Sequence, residues 1–368
     1  MSHRFIISGG GTGGHIFPAI AIANTIKQRE SESEILFVGA KGKMEMEKVP
    51  AAGYEIVGLN ISGIRRSMSL SNVLVPFKLL NALRQAFKVL REFKPDVVIG
   101  VGGFASGALV FAASIKGIPA LIQEQNSFPG ITNRILARRV KTICVAYNGM
   151  EKHFPEEKIV LTGNPVRKEI YASNVERDAA RAHFGLSSDA FTILAVGGSL
   201  GARSINEAMA KNVNQFAAQN IQIIWQTGKG HLALAEAAVD DSFKNKVSVQ
   251  EFIARMDMAY AAADVVVSRA GAIAVSELCV VKKPCILVPY PFAAEDHQTS
   301  NARVLSNVKA AILLPDNEVR EKLGETVLHL KNDEGLRSEM SANIASLAKP
   351  DAADRITDEV FKLISKTA

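Results

Sequence analysis

From its fourth residue the chain alternates short, unbroken apolar runs with longer stretches of helical periodicity. Apolar runs lie at Arg4 to Ser8, Ile35 to Val38, Val97 to Gly100, Ala120 to Ile122 and Thr142 to Val145. Between them, His15 to Arg29, Ala105 to Lys116 and Thr132 to Arg138 repeat apolar residues at helical spacing. Runs without polar alternation predict strands buried on both faces, as in a parallel sheet covered by helices. The pattern restarts near residue 165, with strands predicted at Thr192 to Val196, Gln222 to Trp225, Val247 to Gln250, Asp264 to Val267 and Cys285 to Val288. LTGNPV, Leu161 to Val166, holds Gly163, Asn164 and Pro165 and reads as a linker. The expected division is therefore an α/β domain over 1–163, a second over 164–345, and a closing segment over 346–368. Its periodic ITDEVFKLISKT suits a helix that either domain would accept, and it is assigned to return to the first.

Three of the predicted strands run into glycine turns: GGGTGGH (Gly9 to His15), VGGFASG (Val101 to Gly107) and VGGSLGAR (Val196 to Arg203). Glycine lets the backbone approach an oxyanion with no Cβ in the way, and the helix that follows offers unpaired N–H groups and a partial positive charge. Such turns predict seats for phosphate. Gly9, Gly11 and Gly14 satisfy the dinucleotide fingerprint, but the second strand ends FVGA (Phe37 to Ala40) without the acid that would hold a ribose. A nicotinamide dehydrogenase is thereby disfavoured, and the absence of G-x-x-x-x-G-K-[ST] removes support for an NTPase.

Length and composition fit this division. The 368 residues exceed one ordinary core, and 48% hydrophobic with 22% charged residues is ordinary for a globular protein. MSHRFIISGG passes straight into a glycine turn and reads as a core strand rather than a secretion signal, and no stretch offers about 18 uninterrupted apolar residues. The expected location is cytoplasmic. Cys144, Cys279 and Cys285 have no metal-ligand spacing and sit in apolar patterns, so they read as buried thiols.

The charge is uneven. Residues 1–150 hold 18 Lys and Arg against 9 Asp and Glu, a balance of +9, which leaves −3 for the remainder of a chain whose net charge is +6. Between Glu55 and Glu92 there is no acid, while Arg65, Arg66, Lys78, Arg84, Lys88 and Arg91 fall among Val73, Leu74, Val75, Phe77, Leu79, Leu80, Leu83 and Phe87. This pattern predicts a surface lying on anionic lipid; the other reading is a core-packed helix with a solvated basic rim. Nucleic acid is not expected as a partner, because no aromatic platform or binding motif accompanies the basic residues.

GGGTGGH, GGFAS (Gly102 to Ser106), EQN (Glu124 to Asn126), GNPVR (Gly163 to Arg167), GGSLGAR (Gly197 to Arg203) and RAGAIAVSE (Arg269 to Glu277) occur in the order and spacing of the MurG family. The resemblance covers nearly the whole chain. It implies a GT-B glycosyltransferase, with two Rossmann-like doubly wound domains facing a cleft. The implied reaction moves N-acetylglucosamine from UDP-GlcNAc to undecaprenyl-pyrophosphoryl-MurNAc-pentapeptide, with inversion, at the cytoplasmic face of the membrane, in peptidoglycan synthesis. The implied acceptor half is the basic, N-terminal one.

Residue by residue, the resemblance puts the backbone amides of Ala272 and Ile273 near a donor phosphate and Glu277 on the ribose hydroxyls, a match since a carboxylate accepts two hydrogen bonds from a diol. It puts uracil at the backbone of Ile253 beside Phe252, phosphate at Ser199, a cation near the donor at Arg167, and the sugar near Asn126. A family pair of glutamines on the sugar becomes His297 and Gln298 here, and Phe104 stands where many relatives have tyrosine. Thr12, Gly13 and Gly14 join the donor site, and Gly11, Gly102, Gly103, Phe104 and Ser106 the acceptor's pyrophosphate. No cofactor and no metal are expected, since no D-x-D motif is present to hold a diphosphate through a cation.

His15, at the start of a helix whose amino end lowers an imidazole's pKa, is the leading general base; the rival reading has it bind the acceptor, with a carboxylate such as Glu124 as base. Two other functions remain open at this point, a UDP-sugar hydrolase or epimerase of the same fold and a sensor without turnover.

Overall fold

Every predicted strand forms, and all of them join one of two parallel sheets. The computed structural model describes residues 2–61, 75–172 and 174–365, and the chain separates into a first unit, 1–167 with 350–368, and a second, 168–349.

In the first unit the order is β1 (Arg4–Gly9), α1 (Gly13–Arg29), β2 (Glu34–Ala40), α2 (Glu45–Ala51), β3 (Glu55–Leu59), α3 (Val75–Phe93), β4 (Val97–Gly102), α4 (Phe104–Ile115), β5 (Ala120–Glu124), α5 (Ile131–Leu136), β6 (Thr142–Val145) and β7 (Ile159–Leu161). The strands stand β3-β2-β1-β4-β5-β6-β7. Their direction of progress reverses between β1 and β4, and a ligand crevice forms at such a point, beyond the carboxyl ends of the strands. The turns after β1 and β4 are the first two glycine turns, and pairing of Gly9 with Gly102 brings them side by side.

The second unit runs α6 (Lys168–Tyr171), α7 (Arg177–His183), β8 (Phe191–Val196), α8 (Arg203–Ala218), β9 (Ile221–Gln226), α9 (Leu232–Ala238), β10 (Val247–Gln250), α10 (Met256–Ala262), β11 (Val265–Ser268), α11 (Ala272–Val281), β12 (Cys285–Leu287), α12 (His297–Ser306), β13 (Ala311–Leu313), α13 (Val319–Asn332) and α14 (Glu334–Ser346). Its sheet, β10-β9-β8-β11-β12-β13, switches direction between β8 and β11. The third glycine turn and the turn of RAGAIAVSE therefore share one end of that sheet.

The strands absent from the sequence reading, β3, β7 and β13, are edge strands of three to five residues, although the fourth edge strand, β10, is among those predicted. The boundary lies after Arg167, four residues beyond Gly163, because Asn164 is buried in the first unit: its Nδ2 donates to Gln125 O, and its Oδ1 accepts from Gln123 Nε2, both at 2.9 Å. The second crossing falls after Lys349 rather than at 345. α15 (Ala352–Ser365) covers the face of the first sheet that α1 also covers, with Ile356, Val360 and Leu363 in one core with Phe5, Ile7, Ile22 and Ile99. All three cysteines are buried, and burial pushes their thiols up, that of Cys279 to about 12.

The acid-free segment divides on α3. Ala82, Ala86, Val89 and Leu90 are buried, and Leu83 and Phe87 pack against the same core, so Phe87 belongs to the interior. Leu79 and Leu80 are 47% and 50% exposed, on a helix that also exposes Arg84, Lys88 and Arg91. Arg65, Arg66, Val73 and Leu74, with the side chains of residues 75–78, lie outside the described residues.

α15 is also tied to α1 by ion pairs from Arg29 to Asp354 and Asp358, all partly exposed. Such pairs contribute at most about 1 kcal/mol, whereas truncating a fully buried Ile to Ala costs about 2–5 kcal/mol. In urea unfolding, Ile356→Ala is therefore expected to destabilise the chain several-fold more than Arg29→Ala; the reverse order would mean that charge, not the apolar seam, holds the helix.

Candidate active site

In the first unit the site is built around missing side chains. A Cβ on Gly102 would stand 2.7 Å from His15 Cδ2 and 2.8 Å from its Nε2, and one on Gly103 would stand 2.7 Å from Gly10 O. Both glycines have positive φ, at 102° and 90°. The second turn thus presses on the first, and the imidazole lies between them.

His15 is the third residue of α1 and half-buried. Its Nδ1 is 2.9 Å from Gly10 O and 3.5 Å from Thr12 Oγ1. A carbonyl oxygen only accepts, so Nδ1 carries the hydrogen, and in the neutral ring Nε2 is the basic nitrogen. Neither α1, capped by Thr12, nor α4, capped by Gly103, receives a side-chain cap bond. Uncapped first-turn amides of this kind attract an anion by about 0.3–2 kcal/mol at each helix. Phe104 is 52% exposed beside them.

Three expectations change here. Gly11 N–H donates to Glu45 Oε2 at 2.9 Å, so this amide is committed inside the protein rather than to a pyrophosphate. Ser106 is fully buried, and its Oγ, without a partner among the described residues, lies where a Cβ on Gly100 would meet it at 2.7 Å; it faces the sheet rather than a ligand. Glu124, the alternative base, is 2% exposed and accepts from Asn126 N, Asn126 Nδ2, Gly130 N and Asn133 Nδ2 at 2.8–3.2 Å. Four donors on two oxygens make it the organiser of the loop that carries Asn126. Arg167 belongs to this unit, its guanidinium carbon 5.6 Å from the centroid of Phe17 on α1.

In the second unit, α11 begins after Gly271 with no side-chain cap, which leaves the first-turn amides of Ala272 and Ile273 at the sheet's switch point. Glu277 is one turn further and only 6% exposed. Tyr260 Oη on α10, 3% exposed, donates to Glu277 Oε2 at 3.0 Å, which fixes the carboxylate's rotamer. It is a placed group, not a solvated one. Arg269, in the same motif, is structural: Nη1 donates to Val288 O and Pro289 O and pairs with Asp316, which ties the turn to the end of β12.

The third glycine turn folds against Thr227 and Gly228. A Cβ on Gly201 would fall 2.0 Å from Thr227 O, and Ser199 and Leu200 are left exposed at its tip. Gln226 joins this turn to the EFI segment, donating to Gly198 O and accepting from Ile253 N, both at 3.0 Å. The amide of Ile253 is therefore already used, while Phe252 is 57% exposed. At α12, His297 Nδ1 is 2.7 Å from Ala294 O and so carries its hydrogen there, while Gln298 Oε1 accepts from Tyr290 N at 2.9 Å, which turns the amide NH₂ to other use.

Glycosyltransferase family 28 N-terminal and C-terminal domains match residues 5–145 and 192–356. The UDP-N-acetylglucosamine--N-acetylmuramyl-(pentapeptide) pyrophosphoryl-undecaprenol N-acetylglucosamine transferase of Parabacteroides distasonis is 52% identical over 364 residues, 99% of each chain. The crystal structure of Acinetobacter baumannii MurG is 30% identical, with a TM-score of 0.79 over 98% of this chain and 100% of that one. The chain belongs to the MurG family. A relative of the same name from Porphyromonas gingivalis is 53% identical over 98% of this chain and 96% of its own.

MurG motifs thus occupy the switch-point end of each sheet. Glu45, Tyr260 and Gln226 escaped the sequence reading. Glu45 lies five residues beyond Ala40, where the fingerprint's acid was sought, among the unremarkable KMEME; Tyr260 and Gln226 sit in apolar patterns that signal only burial.

Gly102→Ala is expected to cost at least about 2–3 kcal/mol in urea unfolding, since strain at positive φ adds to a collision with the His15 ring. Gly117→Ala, at φ 73° with open space around it, serves as the control and should cost about 1 kcal/mol. Equal costs would show that the ring yields freely.

Proposed function

We propose that the chain transfers N-acetylglucosamine from UDP-GlcNAc to the C4 hydroxyl of a MurNAc pentapeptide carried on undecaprenyl pyrophosphate, with inversion and without a metal ion. The observation that carries this reading is the His15 tautomer: an imidazole with Nδ1–H committed to Gly10 O and basic Nε2, at the start of a helix within a MurG motif. The names of the full-length relatives supply the substrate pair.

On this reading the attacking hydroxyl gives its proton to His15 Nε2 as its oxygen bonds to the anomeric carbon. The bond from that carbon to the β-phosphate oxygen breaks, and its electron pair leaves with UDP. A base of this kind contributes about 10² to 10⁴-fold. The departing diphosphate rests on the amides of Ala272 and Ile273 and on the Ser199 turn. Oriented donors of this type are worth roughly 3–4 kcal/mol each in a dry site.

Glu277, its Oε2 held by Tyr260, receives the ribose diol. With the Ile253 amide bound to Gln226, the carbonyl at Ile253 is the group that accepts from uracil. Gln298 offers its NH₂ and His297 its Nε2 to the sugar hydroxyls. The α1 and α4 amino ends, with Thr12, Gly102, Gly103 and Phe104, receive the acceptor's pyrophosphate.

The lipid carrier explains the exposed apolar residues of the basic unit. Leu79 and Leu80 on α3 and Ile131 and Ile135 on α5, 60% and 65% exposed, accompany Arg84, Lys88, Arg91, Arg134 and Arg138. Among the described residues no helix is long and apolar enough to cross a membrane. These side chains suit peripheral binding to an anionic cytoplasmic leaflet.

UDP release from UDP-GlcNAc, measured with chelator and a soluble acceptor analogue, is expected to require the acceptor. In His15→Ala it falls about 10² to 10⁴-fold with the donor KM nearly unchanged. Glu277→Gln instead raises the donor KM about tenfold or more, and Tyr260→Phe raises it less. Release without acceptor would mean a hydrolase or epimerase, and binding of UDP-GlcNAc without release a sensor.

For the membrane, Leu79→Ser with Leu80→Ser is expected to lower sedimentation with anionic vesicles at least tenfold while leaving UDP release in solution intact. Unchanged sedimentation would refute lipid contact by α3.

A further inference from the structure

The carboxylate behind the first glycine turn has no role in the family reading. Glu45 is the first residue of α2 and fully buried. Its Oε1 accepts from Ala40 N and its Oε2 from Gly11 N, each at 2.9 Å. Among the described residues no cation pairs with it, and two main-chain amides are its donors. Room is made for it at both neighbours: a Cβ on Gly10 would fall 2.2 Å from Oε1, and one on Gly39 would fall 2.5 Å from Cγ. An unpaired carboxylate is costly to bury, so its position calls for an explanation beyond packing.

The explanation lies in the peptide it touches. Gly11 N and Gly10 O belong to one planar peptide group. Its N–H points at Glu45 Oε2, and its C=O accepts from His15 Nδ1–H at 2.9 Å. Carboxylate, peptide and imidazole therefore form one chain of hydrogen bonds. A negative charge at the N–H end polarises the peptide and strengthens its oxygen as an acceptor, by roughly 10–30% per bond in such chains. We propose that Glu45 is a positioning residue that acts on His15 through the Gly10–Gly11 peptide. It locks the Nδ1–H tautomer and stabilises the imidazolium that forms when Nε2 takes a proton, as a carboxylate does by direct contact in a hydrolase triad.

Other charges near the ring are few. The β4–α4 turn against it carries Gly102, Gly103 and Phe104, β1 has no titratable group at this end, and Glu47 and Lys48 of α2 pair with each other at the surface. Arg167 approaches α1 over Phe17, and Asp354 and Asp358 of α15 hold Arg29 at the far end of the helix.

The proposal rests on His15 as the base, and the test separates the two. Imidazole ¹⁵N NMR on the full chain without substrate should find the Nδ1–H tautomer, and Glu45→Gln should lower the His15 midpoint by roughly half to one pH unit, because the buried charge no longer favours the imidazolium. In turnover, the acidic limb of the rate profile should move down by the same amount and kcat should fall about tenfold or more with the donor KM unchanged. In a His15→Ala background Glu45→Gln should then add almost nothing. An unmoved midpoint, or a full additive loss in the double variant, overturns the relay even where His15 is the base. A shifted midpoint with His15→Ala fully active keeps the relay and overturns the base. Should Glu45→Gln not fold, the native spectrum still decides: an Nε2–H ring refutes the proposal.

Discussion

The closeness of backbone to backbone at the carboxyl ends of β1, β2 and β4 is the constraint from which the rest of the first unit follows. Four positions there, Gly10, Gly39, Gly102 and Gly103, would each put a Cβ within 2.2–2.8 Å of an atom that defines the site: Glu45 for the first two, His15 and Gly10 O for the others. No L side chain fits such distances, so glycine is required by space as much as by dihedral angle. Its absence of bulk lets a carboxylate, a peptide and an imidazole stack into one line. The second unit repeats the device with other atoms: Gly201 and Gly228 fold the third turn onto Thr227, and an uncapped α11 follows at the neighbouring strand end.

The two units use this backbone closeness differently. In the first, the buried charge is negative and turned inward, so the first turn's amide serves the protein and the helix ends are left, in the proposed function, to an anion. In the second, Glu277, 6% exposed, sits a turn beyond an amino end, so one short helix carries both uncapped amides and a fixed carboxylate, which the proposed function gives to a phosphate and a diol. Either helix end alone is a modest attraction of about 0.3–2 kcal/mol. The fixed acceptors and donors beside it are each oriented by a second residue: Glu277 by Tyr260, Gln298 by the Tyr290 amide, His15 by Gly10.

The sequence made the central strands legible because strands inside a parallel sheet are apolar on both faces; the strands it lost, β3, β7 and β13, all lie at sheet edges, where of the four edge strands only β10 was read. Glycine turns and helix starts were equally legible, since few other structures use those residues in that order. What a turn's atoms face was not. The Gly11 amide is taken by a residue 34 positions on, the Ile253 amide by one 27 positions back, and Ser106 turns to the sheet. Phe87 joins the core although it shares a basic, acid-free segment with Leu79, because it lies two turns further along α3, where the helix packs on the sheet. Glu45 and Tyr260 carry no local signal at all, as their importance is created only by what the fold packs against them.

The proposed function seats the donor nucleotide on the start of α11, whose first-turn amides lack a side-chain cap, and not on the Gly11 amide, which is already committed to Glu45. Hydrogen exchange on the native chain, with and without UDP, tests this directly. Slowed exchange at residues 272–277, with Gly11 already slow before UDP is added, is the predicted result. Protection confined to residues 10–15, with none over 272–277, would contradict the account.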